Sequence, residues 1–218
     1  MVQVRTLARA GAARPTRTLG SMRDSTAAAR TLVLLEGESD LAAVRALAKL
    51  VGCDLDTCRI QLRATHGVTN FSRALSEFLL ANPGAGFCGL YDIAEERHVR
   101  RALAGAGVEL THDTPLESFG FFACAADLED ELIAALGADS VERVIESQSE
   151  LASLRRFQAM PQHRGRPVRQ QLRRFLGTRA TRKIRTAPRL VEALTVAQLP
   201  RPLAGLAAAL LAAASGGV

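Results

Sequence analysis

The chain has 218 residues, of which 48% are hydrophobic and only 4% aromatic, and its net charge is +6. This apolar content excludes a wholly disordered protein, and the length fits one domain, or one domain with an appendage. The sequence has no uninterrupted apolar run of about 18 residues, which excludes an ordinary membrane-spanning segment.

The charge is unevenly distributed along the chain. Residues 1–30 carry six basic residues and one acid, whereas residues 31–150 carry nine basic residues and 20 acids. Residues 151–189 then carry 12 basic residues and no acid. Acidic surfaces attract cations and basic surfaces attract phosphates, so this division favours a protein that handles both metal ions and nucleic acid.

Two features bear on where the protein works. Residues 1–30 lack a clear apolar face, so we predict a basic, disordered leader, or a start site placed too far upstream, rather than a targeting segment. The cysteines form no C-x-x-C pair, which predicts buried free thiols in a reducing cytoplasm. They are Cys53, Cys58, Cys88 and Cys124.

The predicted elements begin with Thr31–Glu36, an apolar run that ends in an acid and is typical of a central parallel strand. Gly37 supplies the turn. Apolar residues then recur at helical spacing from Glu38 to Val51, which places Asp40 at the start of this helix.

Three further strand-and-helix pairs follow. We predict strands at Arg59–Ala64, Gly86–Tyr91 and Gly120–Ala125, and helices at Phe71–Leu80, Ala94–Ala104 and from Asp127 onward. Four such alternations predict an α/β fold with a mainly parallel four-stranded sheet flanked by helices. Beyond Asp139 only helical patterns occur, at Val141–Phe157, Val168–Phe175, Ile184–Leu194 and Leu203–Ala213. We therefore divide the chain into a leader (1–30), an α/β core (31–138) and a helical extension (139–218) with a basic stretch at 155–189.

Three of the predicted strands lead into acids: Glu36, Asp92 and Asp127. The carboxyl ends of parallel strands share one edge of the sheet, where such folds bind ligands. Clustered carboxylates repel one another unless a hard cation bridges them, and oxygen-only ligation suits Mg²⁺ or Mn²⁺. Each acid alone could instead be a helix cap or a solvated first-turn charge, but the repetition at three strand ends favours a metal cluster.

These residues also resemble a known family. The run Leu34-Leu35-Glu36-Gly37-Glu38-Ser39-Asp40, followed by Gly89-Leu90-Tyr91-Asp92, resembles the TOPRIM domain of topoisomerases, primases and OLD-type endonucleases. The run Asp127-Leu128-Glu129-Asp130-Glu131-Leu132 and the region of Lys183 resemble the OLD branch in particular. The resemblance covers roughly residues 30–190. It implies a TOPRIM/Rossmann-like fold and a Mg²⁺- or Mn²⁺-dependent nuclease that cleaves or nicks DNA.

The resemblance also implies roles for individual residues. Glu36 would act as general acid/base or as a metal ligand. The other implied ligands are Asp40, Asp92, Asp127 and Glu129. Where such domains carry Asp-x-Asp, this chain has Asp92-Ile93-Ala94, so the second acid would have to come from Glu95 or Glu96 in the next turn.

Lys183 is one of only two lysines, beside 26 arginines, and the other is Lys49. A compact ammonium and a planar guanidinium are not interchangeable at a reacting phosphate. Our hypothesis is that Lys183 stabilises charge in the transition state, as the late lysine of OLD-type nucleases suggests. The alternative is a chance lysine on a basic helix.

The basic stretch is the candidate nucleic-acid surface, which would bind the DNA backbone without reading its sequence. The alternatives are a solvated arginine-rich face and internal neutralisation of the acidic body. The arginines assigned to nucleic acid are Arg173, Arg174, Arg179, Arg182 and Arg185.

Other motifs are missing from the sequence. No G-x-x-x-x-G-K followed by Ser or Thr occurs, so any ATP dependence would need a separate ATPase partner. The four histidines lack zinc-ligand spacing. The partners that we predict are DNA, a separate ATPase and a second copy of the chain in a homodimer. Two alternative functions stay open: a degenerate TOPRIM module that binds nucleic acid or metal in a larger complex, and nucleotidyl transfer of the primase type.

Overall fold

The computed structural model describes residues 30–215, so the predicted leader lies outside the described residues except for Arg30. The strands are β1 (Thr31–Leu35), β2 (Ile60–Ala64), β3 (Gly86–Asp92) and β4 (Phe121–Cys124). The helices of the first half are α1 (Glu38–Leu50), α2 (Phe71–Ala81), α3 (Glu96–Gly105) and α4 (Leu128–Leu136). The later helices are α5 (Ala138–Ser147), α6 (Leu151–Ala159), α7 (Val168–Gly177), α8 (Ala180–Glu192) and α9 (Arg201–Ser215).

The four strands form one parallel sheet in the order β2-β1-β3-β4. This confirms the fold class predicted from the alternating pattern. The strand order reverses between β1 and β3, and ligands of open α/β sheets bind at the carboxyl ends of the strands beside such a reversal. Glu36 follows β1 and Asp92 ends β3, so both lie at this point.

Helices cover both faces of the sheet, as the side-chain alternation along β1 requires. Leu32 and Leu34 pack against α2 and α3, whereas Val33 and Leu35 pack in a second core with α1 and the later helices. Helix α8 makes the most extensive helix contact of the structure, along α1. This packing brings Lys183 to the edge of the sheet where the strands end.

Gly89 allows the central strands to approach closely just before the site. It pairs with Leu34 across β1 and β3. A Cβ atom on Gly89 would lie 2.5 Å from the carbonyl oxygen of Leu34 and 2.9 Å from the ring of Phe121. Any larger residue would separate the strands three positions before Asp92.

The helical extension differs from its prediction mainly in two places. Helix α8 begins at Ala180 rather than at Ile184, so Lys183 lies on the helix. The single helix expected at Val141–Phe157 is two helices, because Ser149 adopts a left-handed backbone (φ 59°) that ends α5. The turn places Glu150 against Arg182 and Arg185 of α8, and these ion pairs compensate for the broken helix. None of the helices within residues 30–215 is both long and apolar enough to cross a membrane.

Candidate active site

An open cleft of about 240 Å³ lies at the carboxyl edge of the sheet. Four acids of the sequence prediction line it, together with the lysine of α8. They are Glu36, Asp40, Asp92, Asp127 and Lys183. The fold thus gathers one acid after each of β1, β3 and β4, a further acid from α1, and one cation.

The β1–α1 turn fixes two of these acids. The Gly37 N–H donates to Asp40 Oδ2 at 3.0 Å, so Asp40 caps its own helix as well as lining the cleft. The Asp92 N–H donates to Glu36 Oε1 across 3.3 Å, which is a long hydrogen bond. Glu36 Oε2 accepts no hydrogen bond from any group within residues 30–215, so it is available to a ligand.

Asp127 begins α4 and is held from two sides. Its Oδ1 accepts the Asp130 N–H at 2.8 Å, and its Oδ2 accepts Arg173 Nε at 2.8 Å. Asp130 in turn accepts Arg169 through two carboxylate contacts of 2.8 and 2.6 Å. Two arginines one turn apart on α7 therefore tie α7 to the start of α4, a pairing that the sequence reasoning missed.

Glu129 lies beneath the cleft and is only 2% exposed. Lys183 Nζ is 2.9 Å from its Oε2, yet neither carboxylate oxygen accepts a hydrogen bond of good direction. Burial lowers the pKa of Lys183, but attraction to Glu129 and Asp40 outweighs it and the pKa is raised. Unmet acceptors on a buried carboxylate are uncommon, and they indicate a site with room for more positive charge.

The remaining cleft acids are hard to ionise together. Burial raises the pKa of Glu36, Asp40 and Glu129 from their ordinary values. Burial, together with repulsion from Glu36 and Asp127, raises the pKa of Asp92 to about 7. A cation bound in the cleft would offset the repulsion among these carboxylates.

Glu96, predicted as a ligand, lies outside the cleft lining. It forms an ion pair with Arg100 at 2.7 Å along the outer face of α3. Glu95 does not line the cleft either, and its carboxylate lies 3.5 Å from His98 Nε2. Neither acid therefore supplies a second carboxylate to the cleft in place of Ala94 as the side chains stand.

The arginines assigned to nucleic acid divide into two groups. Arg182 is buried, stacks 3.9 Å above the Phe175 ring and pairs with Glu150, so its assignment to a DNA surface is wrong. Arg185 is exposed but also pairs with Glu150. Arg173, Arg174 and Arg179 are exposed, and Arg173 contacts the cleft-lining Asp127.

The donor set fits a hard divalent cation in chemistry, since the four acids that line the cleft offer only carboxylate oxygens. As the side chains stand, no three acids, histidines or cysteines between residues 30 and 215 converge enough to chelate an ion. Two of the candidate ligands already accept hydrogen bonds, Asp40 from the Gly37 amide and Asp127 from Arg173. Ligation would require these side chains to rotate into the cleft.

These pKa shifts predict a pH-dependent stability. Asp92 has its folded pKa raised above the unfolded value, so its contribution is most favourable in acid and is lost as pH rises through about 7. In EDTA we expect the free energy of unfolding to fall by about 1 to 2 kcal/mol between about pH 5 and pH 8, after allowing for screening by water. Denaturant titrations of Asp92→Asn should show a flatter profile. If the stability of Asp92→Asn depends on pH as that of wild type does, Asp92 is not the group responsible. Glu38→Gln, at an exposed position, is the matched control.

Comparisons place this fold among known structures. No protein-family model and no curated protein sequence matches the chain. Its structure is similar to the C-terminal region of the Burkholderia pseudomallei OLD protein, with a TM-score of 0.61 and 22% identity over 85% of this chain and 98% of that one. The C-terminal region of the Xanthomonas campestris pv. campestris OLD protein gives a TM-score of 0.59 and 22% identity over 86% of this chain and 97% of that one. The chain therefore has the fold of the C-terminal regions of OLD proteins, which confirms at the level of fold the resemblance read from its motifs.

Proposed function

We propose that the cleft is a divalent-cation-dependent site that cleaves or nicks the phosphodiester backbone of DNA. The observation that carries this proposal is the convergence of acids from the ends of three parallel strands with the ammonium of Lys183. The fold of OLD C-terminal regions supports the same reaction class by analogy.

The residues that would hold the cation are the four cleft-lining acids, Glu36, Asp40, Asp92 and Asp127. They supply only oxygen ligands, which favours Mg²⁺ or Mn²⁺ over softer metals. When bound, such an ion would activate a water molecule and offset charge on the leaving oxygen. Glu129 lies below these ligands and would hold Lys183 in position rather than face the substrate.

The chain's own groups then have distinct tasks. Glu36 keeps Oε1 on the Asp92 amide, so its Oε2 is the atom that would accept a proton from the attacking water. Lys183 would place its ammonium against the phosphate, oriented by the buried carboxylate of Glu129. The exposed side chains of Arg174 and Arg179 would contact the flanking DNA backbone.

Plasmid relaxation tests this proposal. Supercoiled DNA incubated with the protein should become nicked or linear in Mg²⁺ or Mn²⁺ and stay intact in EDTA. Cleavage that persists in EDTA, or its absence with every divalent ion despite intact DNA binding, would overturn the nuclease.

A second function has one specific observation in its favour. Ala94 follows the third strand where a second carboxylate would complete the cluster, and Asp127 and Glu129 already pair with cationic side chains. A module that binds DNA without cutting it would fit these features. Such a module would show salt-dependent DNA binding and no cleavage, and this outcome distinguishes it from the enzyme.

A further inference from the structure

We propose that Arg173 binds a DNA phosphate and that Asp127 competes with this phosphate for the guanidinium. The inference rests on the proposed DNA substrate and adds a control on access to it. Asp127 lines the cleft and accepts a hydrogen bond from Arg173, so Arg173 lies next to the proposed substrate site.

The contact with Asp127 engages one of the three nitrogen atoms of the Arg173 guanidinium. Only Nε donates to the carboxylate, at 2.8 Å, and neither Nη group finds a partner within the described part of the chain. The Arg173 side chain is 43% exposed. The two Nη groups are thus available as adjacent donors, and a guanidinium can offer two such donors to phosphate oxygens in a bidentate contact.

The neighbouring ion pair, Arg169 with Asp130, has more hydrogen bonds than the Arg173–Asp127 pair. Arg169 binds Asp130 through both carboxylate oxygens and also reaches the Asp130 carbonyl oxygen at 3.3 Å. Asp127 cannot offer Arg173 the same bidentate contact, because its other oxygen caps α4 through the Asp130 amide. Arg169 is therefore the tether that holds α7 on α4, and Arg173 is the contact that can be released.

Release would couple the two ligands of the site. A carboxylate rotated into the cleft to bind a cation cannot also hold Arg173, so cation binding at Asp127 frees the guanidinium for phosphate. By reciprocity, DNA that captures Arg173 frees Asp127 for the cation. Cation and DNA should therefore bind with positive cooperativity, transmitted by one side-chain contact.

Fluorescence anisotropy of a short fluorescein-labelled DNA duplex, in EDTA at low fixed salt, tests the competition. Asp127→Asn keeps a side chain that can cap α4 but gives up the charge that retains Arg173. We expect it to bind the duplex about three- to tenfold more tightly than wild type, the range of an exposed ion pair. Arg173→Gln should bind more weakly, and the double variant should match Arg173→Gln.

Asp92→Asn controls for the loss of one negative charge from the same cleft. Within residues 30–215 Asp92 forms no ion pair with an arginine, and its charge acts on Arg173 only from beyond ion-pair distance. A gain for Asp127→Asn no larger than that for Asp92→Asn, or a gain that persists in the double variant, would show simple charge removal and overturn the proposal. These measurements contain no metal, so a failure of plasmid cleavage bears on the nuclease alone. If no variant binds the duplex, both the competition and the DNA substrate are refuted.

Discussion

Replacing Glu36 with glutamine should reduce plasmid cleavage by about 100- to 1,000-fold while leaving the protein at least as stable as wild type. Glutamine has nearly the same shape, and its Oε1 can still accept the Asp92 amide. The change removes the oxygen that would take the proton, together with one negative charge from the cluster. Activity is lost because both the base and a cation ligand are lost.

Stability should move in the opposite direction, because the Glu36 carboxylate is unfavourable in the folded chain. Burial and the nearby Glu95 raise its pKa, so a neutral side chain relieves repulsion when no cation is present. In thermal denaturation in EDTA at about pH 8, we expect the midpoint temperature of the variant to equal or exceed that of wild type. Mg²⁺ should raise the midpoint of wild type more than that of Glu36→Gln.

Glu38→Gln is the matched control for this experiment. Glu38 begins the same helix two residues away, but its side chain is 49% exposed, and among residues 30–215 its one ion pair is with His66, at 3.7 Å. Its neutralisation should leave cleavage and the response to Mg²⁺ close to wild type. Glu36→Gln protein that cleaves at the wild-type rate would exclude this cleft as the source of the activity.

The strand-end acids could be predicted from sequence because their placement depends on local order alone. An apolar run that stops at Glu36, and another that stops at Asp92, fixes where each strand ends. Parallel pairing then brings the carboxyl ends of these strands to one edge of the sheet, independently of the loop conformations. The same logic located Asp127, although β4 ends three residues earlier and Asp127 is the cap of α4.

The partners of these acids could not be predicted, because they depend on how distant helices dock. Arg173 meets Asp127 across 46 positions and Arg169 meets Asp130 across 39. Glu95 ends and Glu96 follows a short 3₁₀ turn after β3, which no periodicity reveals, and both lie outside the cleft lining. Arg182 looked like surface charge from composition, yet the turn at Glu150 supplies a carboxylate that allows it to be buried.

Replacing Lys183 with methionine should destabilise the fold by about 3 kcal/mol at neutral pH, because the buried carboxylate of Glu129 would lose the cation that pairs with it. Lys183 is one-third exposed, which keeps the expected cost at the lower end for a buried pair. The penalty should shrink as pH falls, since Glu129 already has a raised pKa and can be protonated instead. Urea unfolding at several pH values measures this, and an equal penalty at all pH values would contradict the pairing.

Two further variants separate this structural role of Lys183 from a catalytic one. Adding Glu129→Gln to Lys183→Met removes the unpaired charge and should recover most of the lost stability, but none of the cleavage. Lys183→Arg keeps the charge and should stay folded, yet the broader guanidinium cannot replace an ammonium against the phosphate, so cleavage should fall at least about tenfold. Wild-type cleavage by Lys183→Arg would refute a specific ammonium contact. Cleavage recovered together with stability in the double variant would reduce Lys183 to a counter-ion of Glu129.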